Sequence, residues 1–135
     1  EGGNSVLAVS LDRYKRYLEK RASVWERLAL LRTRPIVGSL SLGSEITRAL
    51  HAFCYQRPFT REAVNRILDI RAKTVKQSNK KYRGLINVKL SSGDLYDIDF
   101  IAQSYAAHYG ASNISLRHRK THRILDALGV SSILS

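Results

Sequence analysis

Three features of this sequence predict an all-α fold, a helical bundle of about five helices with a short extended N-terminal arm. Apolar residues recur at three- and four-residue spacing along most of the chain. Capping residues, prolines and glycines punctuate those stretches, and only two short segments depart from the period. At 135 residues and 44% hydrophobic content, the chain fits one domain with one modest core.

Residues 1–10 read as the arm, with the apolar run Val6 to Val9 behind Gly2 and Gly3; residues 11–135 read as the bundle. From Leu11 onward, Tyr14, Leu18, Ala22, Trp25 and Ala29 keep one face of a first, long helix against a core until Pro35 and Gly38 end it. Ser44 is the expected cap of a second helix, whose Ile46, Leu50 and Phe53 share a face up to Pro58. Thr60 caps a third, long helix with Val64, Ile67, Leu68 and Val75 inward and a polar, basic far end from Lys73 to Arg83. Leu85 to Leu90 reads as extended.

Asp94 and Asp97 are spaced as a capping box of acidic residues, ahead of the stripe Ile98, Ile101, Ala102, Tyr105 and Tyr109, which Gly110 stops. A last helix, roughly Leu116 to Leu128, buries Ile124, Leu125 and Leu128 before Gly129 closes it.

A net charge of +12 from 23 basic and 11 acidic residues predicts a surface that attracts anions: nucleotide phosphates, nucleic acid or an acidic partner. The single cysteine, Cys54, excludes an internal disulfide, suits a reducing cytosol and reads as a small buried side chain rather than a nucleophile. No apolar run has the length of a membrane span, so no membrane partner is expected. The start at Glu1 and the lack of any methionine suggest a chain that begins in mid-protein.

Two segments carry most of the chemistry. WERLALLRTR, Trp25 to Arg34, ends a helix with Glu26 near its start and Arg32 and Arg34 at its end. The two arginines suit both the negative end of the helix dipole and a clamp on phosphate or carboxylate. KLSSGDLYDIDFIAQ, Lys89 to Gln103, sets a lysine and a glycine turn before a helix that opens with acidic residues. Capping is the role that falls to Asp94, while Asp97 and Asp99 point to different sides of the helix and form no acid/base dyad. His118 and His122, four apart on the expected last helix, lack the further ligands that would make a zinc site, so no metal and no catalytic residue is assigned.

Together these segments resemble the helical domain that follows the nucleotidyltransferase domain in glutamine synthetase adenylyltransferases. Trp25, Glu26, Ala29, Leu30, Arg32 and Arg34 match its first motif, and Ile70, Arg71 and Lys73 its second. Lys89, Gly93, Leu95, Asp97, Ile98, Phe100 and Gln103 match the third; Thr121, Leu125 and Leu128 fit the last helix, and Gly2, Gly3 and Ser5 the initial turn. Asp94 replaces the second glycine of the family's pair and Asp99 its usual glutamate.

The resemblance implies a cytoplasmic, bifunctional parent enzyme that moves AMP from ATP to a tyrosine of glutamine synthetase in one half and removes it by phosphorolysis in the other. Asp97 leans toward the adenylylating half. ATP and Mg2+ are then cofactors of the parent enzyme, held by carboxylates on strands that precede this stretch, and none is expected to be bound by this stretch alone. Partners so implied are glutamine synthetase, the nitrogen regulatory signalling protein and the preceding nucleotidyltransferase domain. Arg32, Arg34, Arg71 and Lys89 are the expected nucleotide or phosphate contacts, with Glu26, Asp94 and Asp97 orienting or capping. Two other readings stand beside this one: a basic module binding nucleic acid through Arg71 to Arg83, which lacks a reader motif and stacking aromatics, and the equivalent domain of the related uridylyltransferase.

Overall fold

In a computed structural model describing residues 8–81, 88–131 and 133, six α-helices and one 3-10 turn occur, with no strand among the described residues. The helices are α1 (Leu11–Lys20), α2 (Val24–Leu30), α3 (Leu40–Tyr55), α4 (Arg61–Lys81), α5 (Leu95–Tyr109) and α6 (Thr121–Val130); the 3-10 turn Ile114–Leu116 precedes α6. The helical bundle expected from periodicity is therefore present. Most of the proposed arm and half of the Leu85 to Leu90 segment lie outside the described residues, and residues 88–90 form a turn.

The expected first helix is two helices. Ser23 accepts from the Glu26 N–H while Glu26 reaches back to the Ser23 N–H, a capping box that starts α2 afresh and turns it relative to α1. Trp25, expected on the buried face, is consequently 49% exposed, and Leu28 and Arg27 are buried in its place. Short as it is, α2 packs against α3, α4 and α5 and sits at the centre of the fold.

α3 begins one turn earlier than expected, because Ser39 rather than Ser44 accepts from the Leu42 N–H. Its Leu50 and Phe53 are buried as expected, and so is Cys54, whose thiol burial pushes up to about 11. Thr60 accepts from the Ala63 N–H at the start of α4. There Ile67 is buried, but Leu68 is 60% exposed, because α4 meets the rest of the bundle chiefly through α2.

On α5 the inward face is Ala102, Gln103, Ala106 and Ala107 instead of Ile98 and Ile101, which are about half exposed. Small side chains let α5 lie close to α3, a packing gain that outweighs burial of the two isoleucines. The last helix starts at Thr121, so Leu116 belongs to the 3-10 turn, His118 lies outside the helix that carries His122, and Gly129 sits within α6 rather than after it.

Candidate functional site

The third motif is held by two guanidinium groups that approach α5 from different helices. Arg71, on α4, is buried, and its Nε donates to Asp97 while its two terminal nitrogens donate to the carbonyls of Leu90 and Ser91. Asp97 also accepts from the Gly93 N–H at 2.6 Å. Gly93 has φ +83°, a left-handed turn that favours glycine, so the second motif locks the third through this turn.

The second grip is Arg32, just past α2. It donates to Asp99 at 2.7 Å and to the hydroxyl of Thr121, which in turn donates to Asp99. With its amide oxygen turned toward the guanidinium, Gln103 accepts from Arg32 twice at 3.1 Å. Arg32, Gln103 and Thr121 are all motif residues, and this node ties α2, α5 and α6 together. Asp99 is the carboxylate at its centre.

Arg34 is exposed and makes no ion pair among the described residues. Lys89 is exposed too, its ammonium 5.5 Å from the centre of the Tyr96 ring, a cation–π distance. Of the four cations expected at a nucleotide, two therefore organise the bundle and two face solvent.

Asp94 occupies the N-cap position of α5, but its side chain makes no capping hydrogen bond, and its Oδ2 is buried with no partner. The expected capping role thus passes to Asp97, whose carboxylate is already turned back onto Gly93. Glu26 accepts from the Ser23 N–H at 2.7 Å, from the Ser23 hydroxyl at 2.8 Å and from Tyr17. Burial opposes its ionisation, yet those three donors outweigh burial and hold its carboxyl below the usual range.

Asp97 titrates below its ordinary range as well, first because Arg71 donates to it, with burial opposing and the Gly93 and Asp94 backbone contributing. A carboxylate whose folded pKa is depressed stabilises the fold above its unfolded pKa, about 4, and that contribution fades as pH falls through the folded value. Asp97→Asn is accordingly expected to cost about 2 kcal/mol near neutral pH, by leaving buried Arg71 without its counter-charge. The gap between variant and parent in urea midpoints should close as pH falls below about 4; a gap that stays constant would show that the ion pair is not its source.

Sequence reasoning missed two further arginines. Arg27 is 4% exposed and has no carboxylate partner among the described residues; it donates to the carbonyls of Cys54 (2.8 Å), Arg57 (2.8 Å), Pro58 (3.0 Å) and Ala107 (2.9 Å). Arg117 donates to the carbonyls of Gly110 and Ala111 and meets His51 Nε2 at 2.6 Å. Both satisfy carbonyls at helix C-termini, where a cation also meets the negative end of the dipole.

Residues 1–49 match the model of a family described as glutamate-ammonia ligase adenylyltransferase. Over more of its length the chain is similar to proteins named bifunctional glutamine synthetase adenylyltransferase/adenylyl-removing enzyme. That of Methylococcus capsulatus is 31% identical over 95% of this chain, that of Cutibacterium acnes 32% over all of it, and that of Pseudomonas syringae 28% over 94%. The chain spans only 13% to 14% of the length of these relatives. Across nearly its whole length this helical chain is thus similar to a small part of the proteins named bifunctional glutamine synthetase adenylyltransferase/adenylyl-removing enzyme.

Proposed function

We propose that the chain is the helical accessory domain of an enzyme that transfers AMP from ATP to a tyrosine of glutamine synthetase, or removes it by phosphorolysis. The observation that carries this reading is the double grip on α5. Arg71 and Arg32 spend their donors fixing the segment that bears Lys89, so that a rigid turn presents its lysine at the surface. Arg34 and Lys89 are then the residues to meet a nucleotide phosphate, while Arg32 and Arg71 act as positioning residues.

No group of three or more His, Cys, Asp or Glu able to hold a metal ion occurs among the described residues. Asp97 and Asp99 are each engaged with a guanidinium. These residues do not fit Mg2+, whose carboxylates would lie elsewhere in the enzyme. Ile36 and Val37 between α2 and α3, with Leu40 at the start of α3, are 84% to 95% exposed and supply an apolar surface for the nucleotidyltransferase domain to cover. The signalling protein would act through the whole enzyme. No helix among the described residues is long and apolar enough to cross a membrane, which accords with a cytoplasmic place of action.

Transfer of labelled AMP from ATP to glutamine synthetase, with magnesium, tests this. The 135-residue chain should show no turnover. An enzyme of full family length carrying this stretch should be active, and Lys89→Ala should lower its activity roughly tenfold, the loss of one charged contact in the transition state. Turnover by the chain alone would overturn the accessory role, and an unchanged Lys89→Ala enzyme would remove that lysine from the cleft.

A further inference from the structure

A second concentration of positive charge, apart from the two grips, lies in a cleft of about 510 Å³ between the end of α2, α3 and the start of α6. Arg117, Arg119, Lys120, Arg123, His51 and His118 line it, and no Asp or Glu does. Arg117 is committed to carbonyls and to His51, but Arg119, Lys120 and Arg123 are exposed and form no ion pair among the described residues. Cations brought together without a counter-charge repel one another, so the cleft is poised for an anion.

Two independent features point the same way. Tyr55 is 8% exposed and lines the cleft, and its hydroxyl makes no hydrogen bond among the described residues. Its ring is buried while the hydroxyl stays open to the cleft, so this O–H is free to donate to a ligand there. Lys120, at the N-cap of α6, supplies no side-chain cap, and the N–H groups of Thr121 and His122 make no backbone hydrogen bond. Free amides and the positive end of a helix therefore open beside the three cations.

We propose that this cleft binds a phosphate-bearing small molecule carrying at least two negative charges, held by Arg119, Lys120 and Arg123 with Tyr55 donating. Three unpaired cations exceed the charge of one carboxylate, and the guanidinium fork matches two phosphate oxygens at once. The apolar wall of Leu30, Leu31 and Leu50 leaves room for a base or other organic group beside the phosphates. The binding does not depend on the accessory-domain reading, because the chain by itself carries every group it uses.

The test is calorimetric titration of the 135-residue chain with pyrophosphate, AMP and ATP at moderate salt. One saturable site is expected. Tighter binding of ATP than of pyrophosphate would identify a nucleotide as the source, and equal binding would identify the phosphates alone; both support the site. Arg119→Ala with Arg123→Ala should weaken binding at least tenfold. Tyr55→Phe should weaken it about threefold, the loss of one neutral hydrogen bond. Arg13→Ala with Arg16→Ala, which removes the same charge from exposed positions of α1, should leave it within twofold. All four surface substitutions remove side chains without described partners, and unchanged circular dichroism confirms that the fold persists. Absence of a saturable site, or equal losses in the two double variants, would overturn the proposal. So would salt-steep binding of a single-stranded oligonucleotide alone, which would mark a diffuse polyanion surface.

Discussion

Arg27→Met is expected to lower the free energy of unfolding by about 4 kcal/mol, the largest single loss foreseen for a side chain in this bundle. Methionine matches much of the arginine's length and apolar stem, so the effect isolates the guanidinium. The reason lies in the carbonyls it serves. Cys54, next to last in α3, would ordinarily offer its carbonyl to the N–H of residue 58, but that residue is Pro58 and has none. Ala107 stands likewise in the last turn of α5. Both of these bonds from Arg27 are buried, and each enclosed carbonyl left without a donor costs about 1–3 kcal/mol. Those to Arg57 and Pro58 are only partly buried, and water can replace them there.

Burial disfavours the charge on Arg27, and nearby Arg57 adds to that, so the guanidinium's pKa is drawn below its ordinary value. The fold retains it because four carbonyl dipoles, two of them at helix C-termini, substitute for a carboxylate. Urea unfolding followed by circular dichroism measures the loss. Since a domain of this size has only about 5–15 kcal/mol to lose, Arg27→Lys serves as the second variant. It keeps the charge, but its single ammonium cannot span all four carbonyls, so it should fall about midway. A methionine variant within about 1 kcal/mol of the parent would show that the carbonyls find other donors.

The same device recurs and bears on the charge of the chain. Arg57 donates to the Glu19 carbonyl in the last turn of α1 and lies 4.8 Å from the centre of the Phe53 ring; Arg117 closes the end of α5; Arg71 fastens the turn before it. Together with Arg32, five of the cations behind the +12 total thus hold the bundle together. The surface field is correspondingly concentrated on fewer residues, chief among them the cluster from His118 to Arg123.

Periodicity made the helices legible, since Leu50, Phe53, Ile67, Ile124 and Leu128 are buried where a 3.6-residue repeat places them. It failed at the break between α1 and α2, where Leu18, Ala22, Trp25 and Ala29 continue the repeat while Ser23 and Glu26 interrupt the helix. The capping box was there to be read, but the apolar pattern concealed it. On α5 the larger isoleucines lost to alanines, because the distance between two helices is set by their partners and no repeat within one helix encodes it. Motif matching located Arg32, Arg71, Asp97 and Gln103, yet their partners come from other helices. Arg27 could not be foreseen: its burial follows from a proline thirty-one residues away.

Gly110→Ala is expected to destabilise the bundle by about 3 kcal/mol, within the range for forcing an atom into a packed core. At this position φ is −63° and ψ −15°, an ordinary helical conformation, so alanine meets no backbone strain and would by propensity be favoured. Any loss is therefore steric. A Cβ would stand 2.4 Å from the Ala106 carbonyl oxygen and 2.5 and 2.7 Å from two carbons of the Tyr55 ring. That ring cannot easily yield, with His51 at 5.0 Å on one flank and the Arg117 guanidinium 5.2 Å from its centre. Gly129→Ala is the contrasting substitution, because nothing lies within 4 Å of its Cβ. Inside α6 it should stabilise by about 0.5 kcal/mol. Combining Gly110→Ala with Tyr55→Val, which vacates the ring's space, should recover at least about 1 kcal/mol relative to the sum of the single changes. Urea midpoints of the four variants measure this coupling. Strict additivity would mean that the alanine clashes with its own helix alone and that α5 does not owe its closeness to α3 to this glycine.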